Sequence, residues 1–398
     1  MENYLKTLQA IKDRGTVKPA ARANMPGTKS LFGHQFEQDL SKGFPALTTK
    51  KLYWKGVVIE LMWFLRGDTN IKYLDDHKVR KMWHQDAYNY YCKIASANDT
   101  EVNSILMSVF DTMGIEPSKH ENADSYRMFT FEEFCKVIKE TERNDLPKYG
   151  NYILGDCGYQ YGKVWRDWTN FVGNNGNALY YNNIDQILDR IKGLLDNPQG
   201  RRHVLTAWDP AHIGQLALEW CHAMCQFNCR PLTFEERIDV YVDRGNEIFE
   251  NIDEAHLNIH GIPKYYLDSK LFQRSADCYL GVPLNIASYS LLTHMFAEIC
   301  NMIPGYFIHS FGDVHIYDDH KEVVELQLTR EPYPLPTLVF SDNAKSVLSN
   351  IKKLNDEGKL TSETLTAQFE SFKLDDFILY NYKFHPAIEA NLSTGMIK

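Results

Sequence analysis

The sequence predicts an α/β (α+β) protein in which a mixed β-sheet is packed with helices. Three observations lead there. The chain has 398 residues, 44% apolar and 24% charged, enough for a large core and ordinary for a folded globular protein. Apolar runs with helical spacing are intermingled with β-branched and aromatic runs bounded by turn residues, the pattern of helices layered on a sheet. No internal repeat, low-complexity tract or Gly/Ser linker divides the chain, so a single domain spanning 1–398 and carrying insertions is expected.

The elements follow in chain order. KGVVIELMWFLRGDTNIKYL (55–74) has the apolar spacing of a buried helix, closed by Gly67 and Asp68. RRHVLTAWD (201–209), ALEWCHAMCQFNC (217–229) and PGYFIHSFGDVHIY (304–317) read as strands. Between the last two, ASYSLLTHMFAEICNMI (287–303) reads as a second helix that stops before Pro304 and Gly305. Three stretches stand apart as insertions into this core. They are the polar 87–150, with the probable loop NDTEVNS and a capping box from Thr130 to Glu133, the acidic 231–266, and the charged, helix-like 341–372.

Charge and termini narrow the function classes. A net charge of −9 argues against a duplex-binding surface, although local arginine clusters can still hold a phosphate. Met1 leads into polar ENYLKTLQAIKDRG, and no run is long enough to cross a bilayer, so a cytoplasmic protein with no nucleic-acid or membrane partner is expected.

The chemistry is sharpest around LALEWCHAMCQFN (216–228). Cys221 reads as a nucleophile, a metal ligand or a small core residue. Cys221, Cys225 and Cys229 recur every fourth residue, but no second ligand pair accompanies them, so no metal site is expected. His222 is a poor base for its own neighbour, because adjacent strand residues point to opposite faces. By composition alone a passive core thiol is the favoured reading.

The company of Cys221 changes that balance. TKSLFGHQ with GFPALTTKK, IELMWFLRGDTNIKYL, YGKVWRDW, GRRHVLTAWDP, LALEWCHAMCQF, LFQRSADCYLGVPLNIASYSLLTHM, HSFGDVHIYDDH, LTREPYPLP and FHPAI occur in that order. Together they make the chain resemble the thymidylate synthase and pyrimidine nucleotide hydroxymethylase family. The resemblance implies that Cys221 adds as a thiolate to C6 of dUMP, and that C5 then captures a one-carbon unit from 5,10-methylenetetrahydrofolate, a co-substrate, with no metal. A thiolate at neutral pH needs nearby positive charge, for which Arg274 is the implied neighbour.

The same resemblance assigns the other residues. Glu60, a carboxylate within an apolar helix, is implied as the general base and proton relay, Tyr161 as a participant in C5 proton removal, and His222 as a holder of ordered water. Gln273, Arg274 and Ser275 are implied substrate contacts, with Arg201 and Arg202 reaching the phosphate across a homodimer interface. Arg22 is the phosphate-loop candidate, one residue out of register. Asn285 occupies the base-reading position, where an amide suits uracil, while His315 and Tyr317 are expected on the sugar 3′-hydroxyl. Asp277 is expected to contact both substrate and pterin, in a folate pocket with Trp83, Leu218, Leu280 and Gly281, and Lys50 and Lys51 to attract a polyglutamate tail.

Family members diverge only at the last step, where an exocyclic methylene receives either hydride or water. Glu219 and Trp220 before the nucleophile, His84 after the pocket tryptophan, and the polar tail EANLSTGMIK depart from the synthase pattern on the cofactor side. They suggest a rebuilt closure and point to a deoxyuridylate hydroxymethylase of the kind phages use for DNA modification. Thymidylate synthase is the alternative, and a nucleotide-binding homologue the non-catalytic one.

Overall fold

The computed structural model describes residues 1–20, 25–97, 128–149, 151–174, 179–249 and 251–390. Its centre is a seven-stranded sheet built from β1 (Thr16–Lys18), β2 (Thr28–Phe32), β3 (Gln35–Asp39), β4 (Val204–Thr206), β5 (His222–Pro231), β6 (Tyr265–Asp277) and β7 (Ile303–Tyr317). The order is β1-β2-β7-β6-β5-β4, with β3 pairing the first part of β7. Only β6 and β7 run parallel, and the helix Gly281–Cys300 makes the crossover between them. The sheet is therefore mixed, as the sequence predicts.

The helix Gly281–Cys300 covers the sheet and the helix Trp54–Leu65 packs against that helix in turn, both because they are apolar over most of their surface. Every residue from Gly56 to Leu65 of the helix Trp54–Leu65 is buried. Gly281–Cys300 buries Ile286, Leu291, Met295 and Phe296 against the sheet. The helix read in 55–74 closes at Gly67 as expected, where φ is +73°, and the chain restarts in the short helix Lys72–Asp76. The predicted strand 217–229 starts only at His222. Before it, the backbone of 216–218 is claimed by another loop: Leu216 bridges Gly158, Ala217 N–H donates to the Cys157 carbonyl, and Gln160 Nε2 donates to Leu218 O at 2.6 Å.

The expected insertions behave differently from one another. Thr130 and Glu133 form the capping box of the helix Phe131–Glu140, while NDTEVNS lies outside the described residues. Segment 231–266 gives helices Phe234–Asp243 and Glu254–Ile259 around a small separate cluster of Tyr241, Leu257 and Ile262. Segment 341–372 gives helices Asp342–Asp356 and Ser362–Glu370, whose Leu348, Ile351 and Leu365 join the main core. Buried Arg166, paired with Asp185, fastens that second segment by donating to Ser362 O and Thr366 Oγ1. Among the described residues no helix is long and apolar enough to cross a membrane.

Candidate active site

The site forms where β5 and β6 reach the first turn of Gly281–Cys300. Between Phe272 and Gln273 the β5–β6 register shifts, so that His222 faces Gln273 directly. Such a bulge re-aims side chains at the end of a ladder. Gly312 on β7 lets the backbone come close: a Cβ there would lie 2.6 Å from the Arg274 carbonyl. Cys221 sits half-buried just before β5, with its Sγ 3.8 Å from the Glu219 carbonyl. Arg274 N–H donates to the Cys221 carbonyl at 2.8 Å. Its guanidinium donates through Nε to Trp220 O and through Nη2 to Glu219 O, at 2.9 and 2.8 Å. A fixed positive charge thus grips the two residues that precede the thiol.

A second group approaches from the helix Trp54–Leu65. The Glu60 carboxyl is buried and accepts from Trp83 Nε1 at 2.7 Å. Burial raises it to about 7, and the Trp83 bond offsets only part of that. The Trp83 ring stands edge-on to Tyr161, and Tyr161 lies 5.1 Å from the His222 ring. Tyr161 Oη accepts the His222 backbone N–H at 3.0 Å. Burial, and then charge on Cys221, push the phenol well above its ordinary value, while Arg274 acts the other way. His222 is driven down to about 4 by burial, with Asn285 working weakly the other way, so its ring is neutral at physiological pH.

The polar centre is a set of amides. Gln273 Nε2 donates to Asn285 Oδ1 and to Ser275 O, both at 3.1 Å, and Gln273 Oε1 lies 2.9 Å from His309 Nε2. Farther along, His315 Nδ1 is 2.8 Å from Asp313 Oδ1, and Lys18 pairs with the other Asp313 oxygen. Burial works upward on Asp313, but the bonds from His315 and Lys18 outweigh it and bring the carboxyl to about 2. Tyr317 packs edge-on against His315 at 4.9 Å.

Comparison with known proteins gives the family. The family described as Thymidylate synthase matches residues 2–394. The protein named Thymidylate synthase of Staphylococcus haemolyticus (strain JCSC1435) is 34% identical over 372 residues, covering 92% of this chain and 91% of its own. Its namesake in Mycoplasma pneumoniae (strain ATCC 29342 / M129 / Subtype 1) is 32% identical over 393 residues, covering 99% of this chain and 100% of its own. The chain belongs to the thymidylate synthase family. It is accordingly a transferase of one-carbon groups with 5,10-methylenetetrahydrofolate as co-substrate, in a family that binds dUMP and folate.

The expected folate side of this thymidylate synthase homologue is assembled around Asp277. Its Oδ1 accepts the backbone N–H groups of Tyr279 and Leu280 at 2.9 and 3.2 Å, which fixes the carboxylate at the entrance to the long helix. A carboxylate suits the N–H donors of a pterin, and the partly buried Leu218 and Leu280 suit its faces. The residues present therefore fit the co-substrate. Lys50 is not the solvated cation expected for a polyglutamate tail. Its ammonium is buried, donates to Tyr279 O at 2.7 Å and sits 3.2 Å over the Tyr279 ring, and burial lowers it to about 7. Lys51 is the exposed one of the pair.

Arg201 and Arg202 are exposed ahead of β4 and are not brought to Cys221 within this chain. Arg22 lies outside the described residues. Among the described residues no group of His, Cys, Asp or Glu is gathered to hold a metal ion. Sequence reasoning passed over Asp313, Lys18 and His309. The Asp-x-His spacing of GDVHIY was the available signal, because period two puts both side chains on one face of a strand.

Proposed function

We propose that the protein is a thymidylate synthase, converting dUMP to dTMP with dihydrofolate as the second product. What supports the one-carbon chemistry is the half-buried Cys221 thiol beside the Arg274 clamp, with the linked Glu60, Trp83, Tyr161 and His222 nearby; what favours a methyl product is that both relatives named above carry the name thymidylate synthase. In this reading the thiolate bonds to C6 of uracil, and the ring electrons move through C5 to O4. Asn285 holds the ring edge, Arg274 and Ser275 the phosphate, and His315 with Tyr317 the 3′-hydroxyl. Glu60, poised near neutrality, holds and returns the proton on the C5–O4 side, and Tyr161 takes part in removing the C5 proton. Bound 5,10-methylenetetrahydrofolate supplies the one-carbon unit at C5 and the hydride that completes the methyl group. Return of electrons to the C5–C6 bond expels the Cys221 thiolate.

The hydroxymethylase expected from the cofactor-side departures is the weaker reading. Trp220 is fully buried, and its carbonyl with that of Glu219 anchors Arg274. His84 is buried and lies 3.1 Å from Asp75 Oδ1. Both changes are thus absorbed by packing and need not open the site to water. Most of the divergent tail, from residue 391 onward, lies outside the described residues, and both relatives named above are thymidylate synthases.

The same proposal takes the chain as one domain working as a cytoplasmic homodimer. Supporting the dimer are Phe32, Met224 and Phe272, exposed on the sheet, and Arg201 and Arg202, exposed at its edge and free to reach a partner's phosphate. Incubation with dUMP and methylenetetrahydrofolate tests the chemistry. Equal amounts of dTMP and dihydrofolate are expected, and 5-hydroxymethyl-dUMP with tetrahydrofolate would overturn the methyl reading.

A further inference from the structure

We propose that His309, buried beneath the sheet, is a positioning residue for base selection: through Gln273 it fixes which way the Asn285 amide faces, so that one pyrimidine is read and the other refused. The inference rests on the reading above that Asn285 meets the base. The argument starts at a group that has no choice. The Ser275 carbonyl can only accept, so the Gln273 atom 3.1 Å from it is the amide nitrogen. Gln273 Oε1 then faces His309 Nε2 at 2.9 Å, and an oxygen there requires the ring nitrogen to carry the hydrogen. The second N–H of Gln273 donates to Asn285 Oδ1. Asn285 is therefore held with its oxygen toward Gln273 and its NH2 turned away.

The rest of the surroundings keeps the chain from reversing. His309 is fully buried among Phe36, Phe307 and Phe311. Burial, and then the His222 ring, hold its imidazole well below the ordinary value, so one proton is shared between two nitrogens. Its Nδ1 is buried with no hydrogen-bond partner. A bare lone pair there is tolerated better than a bare N–H, so the proton belongs on Nε2. His222 Nδ1 is likewise buried with no hydrogen-bond partner, so its proton too belongs on Nε2; what it offers Asn285 is an N–H, which meets the amide oxygen and favours the same orientation.

Uracil offers a donor at N3 and an acceptor at O4, and cytosine the reverse. For Asn285 to serve cytosine its amide must flip, which sets two NH2 groups face to face unless Gln273 flips as well. That second flip gives up the Ser275 carbonyl and drives the His309 proton onto Nδ1, where nothing receives it. A freely turning amide would read both rings, whereas this one reads a single ring.

The experiment measures kcat/KM for dUMP and dCMP, together with equilibrium binding of each nucleotide, on the full chain. His309→Leu removes the donor and is expected to lower the dUMP-to-dCMP ratio by about tenfold or more, the scale of one misdirected amide pair. His309→Gln restores an N–H donor and is expected to recover most of the ratio. Should His309→Leu fail to fold, Gln273→Glu carries the test. A carboxylate cannot donate to Asn285 Oδ1, so the amide turns its NH2 toward it and the ratio falls. Equal losses on both nucleotides in the variants that fold, with an unchanged ratio, would overturn the proposal. Failure of the wild-type protein to bind or turn over dUMP would instead sink the functional reading itself.

Discussion

Cys221 and the pair Cys225 and Cys229 belong to one short stretch of chain, yet their surroundings differ completely. Cys225 is buried on β5, and burial alone pushes its thiol far up. Cys229 is pushed up to about 12 by burial, with Asp268 adding to it, and its Sγ lies 3.6 Å from Met302 Sδ. Cys221 stands where the strand has not yet begun, half-buried, beside a guanidinium locked to the preceding carbonyls. The regular spacing of the three sulfurs carries no chemistry of its own. On the proposed reading, what separates the nucleophilic thiol from the two core thiols is where the core ends.

The strongest way to break that comparison is to exchange the sulfurs one at a time. Cys221→Ser is expected to cut turnover by about four orders of magnitude or more while dUMP still binds, read by single-turnover kinetics and equilibrium binding. Comparable residual activity would remove Cys221 from the chemistry. Next in size is Glu60→Gln, expected to reduce kcat by about a hundredfold or more.

Glu60 also predicts a pH signature in stability. Its carboxyl titrates at about 7 in the folded chain against 4.5 when unfolded. Between those values the folded chain keeps a proton that the unfolded chain has released, so this group's contribution to stability is present below about pH 4.5, falls as pH rises toward 7, and is constant above it. The loss is on the order of 3 kcal/mol, at about 1.4 kcal/mol for each pH unit between those two values. Denaturant titrations from pH 4.5 to 8 should show wild type losing stability relative to Glu60→Gln across that window. Parallel curves would mean that Glu60 is not held neutral.

Asp313→Asn is a smaller test at the sugar end. It loosens the His315 ring and should raise KM for dUMP about tenfold with little change in kcat, a size typical of a lost charge-assisted bond. The effect should vanish with 2′,3′-dideoxy-UMP, which lacks the hydroxyl that His315 is read to hold. Smallest of all, Cys225→Ala should leave turnover within about twofold and cost about 1 kcal/mol of stability by denaturant titration. A large activity loss there would mean that the buried thiol serves the site after all.

Much of the fold was legible because it is written in apolar periodicity. The helix of Glu60 closes at Gly67, the second helix stops ahead of Pro304, and β7 has its predicted extent to within a residue. What escaped the sequence depends on partners distant along the chain. The expected strand at 217–229 gives up its first residues to the 157–160 loop. The short strand pair Thr337–Phe340 and Phe377–Tyr380 is joined across two helices. At the site, Lys50 looks like any surface lysine until Tyr279 is seen over it. Asp313 acquires meaning only with Lys18 delivered by β1. Segment 341–372 is as charged as an appendage, but its narrow apolar stripe is enough to seat it in the core.

The lone parallel pairing in the sheet has a consequence for how such a protein can change over time. β6, the crossover helix and β7 are consecutive, and together they hold Gln273, Arg274, Asn285, His309 and His315. On the proposed reading most of the nucleotide contacts thus sit on one uninterrupted cassette, with Arg201 and Arg202 the exceptions, whereas the acid, the phenol and the sulfur arrive from separate stretches. On that reading the reaction can be retooled piece by piece while most of the grip on its molecule stays in place.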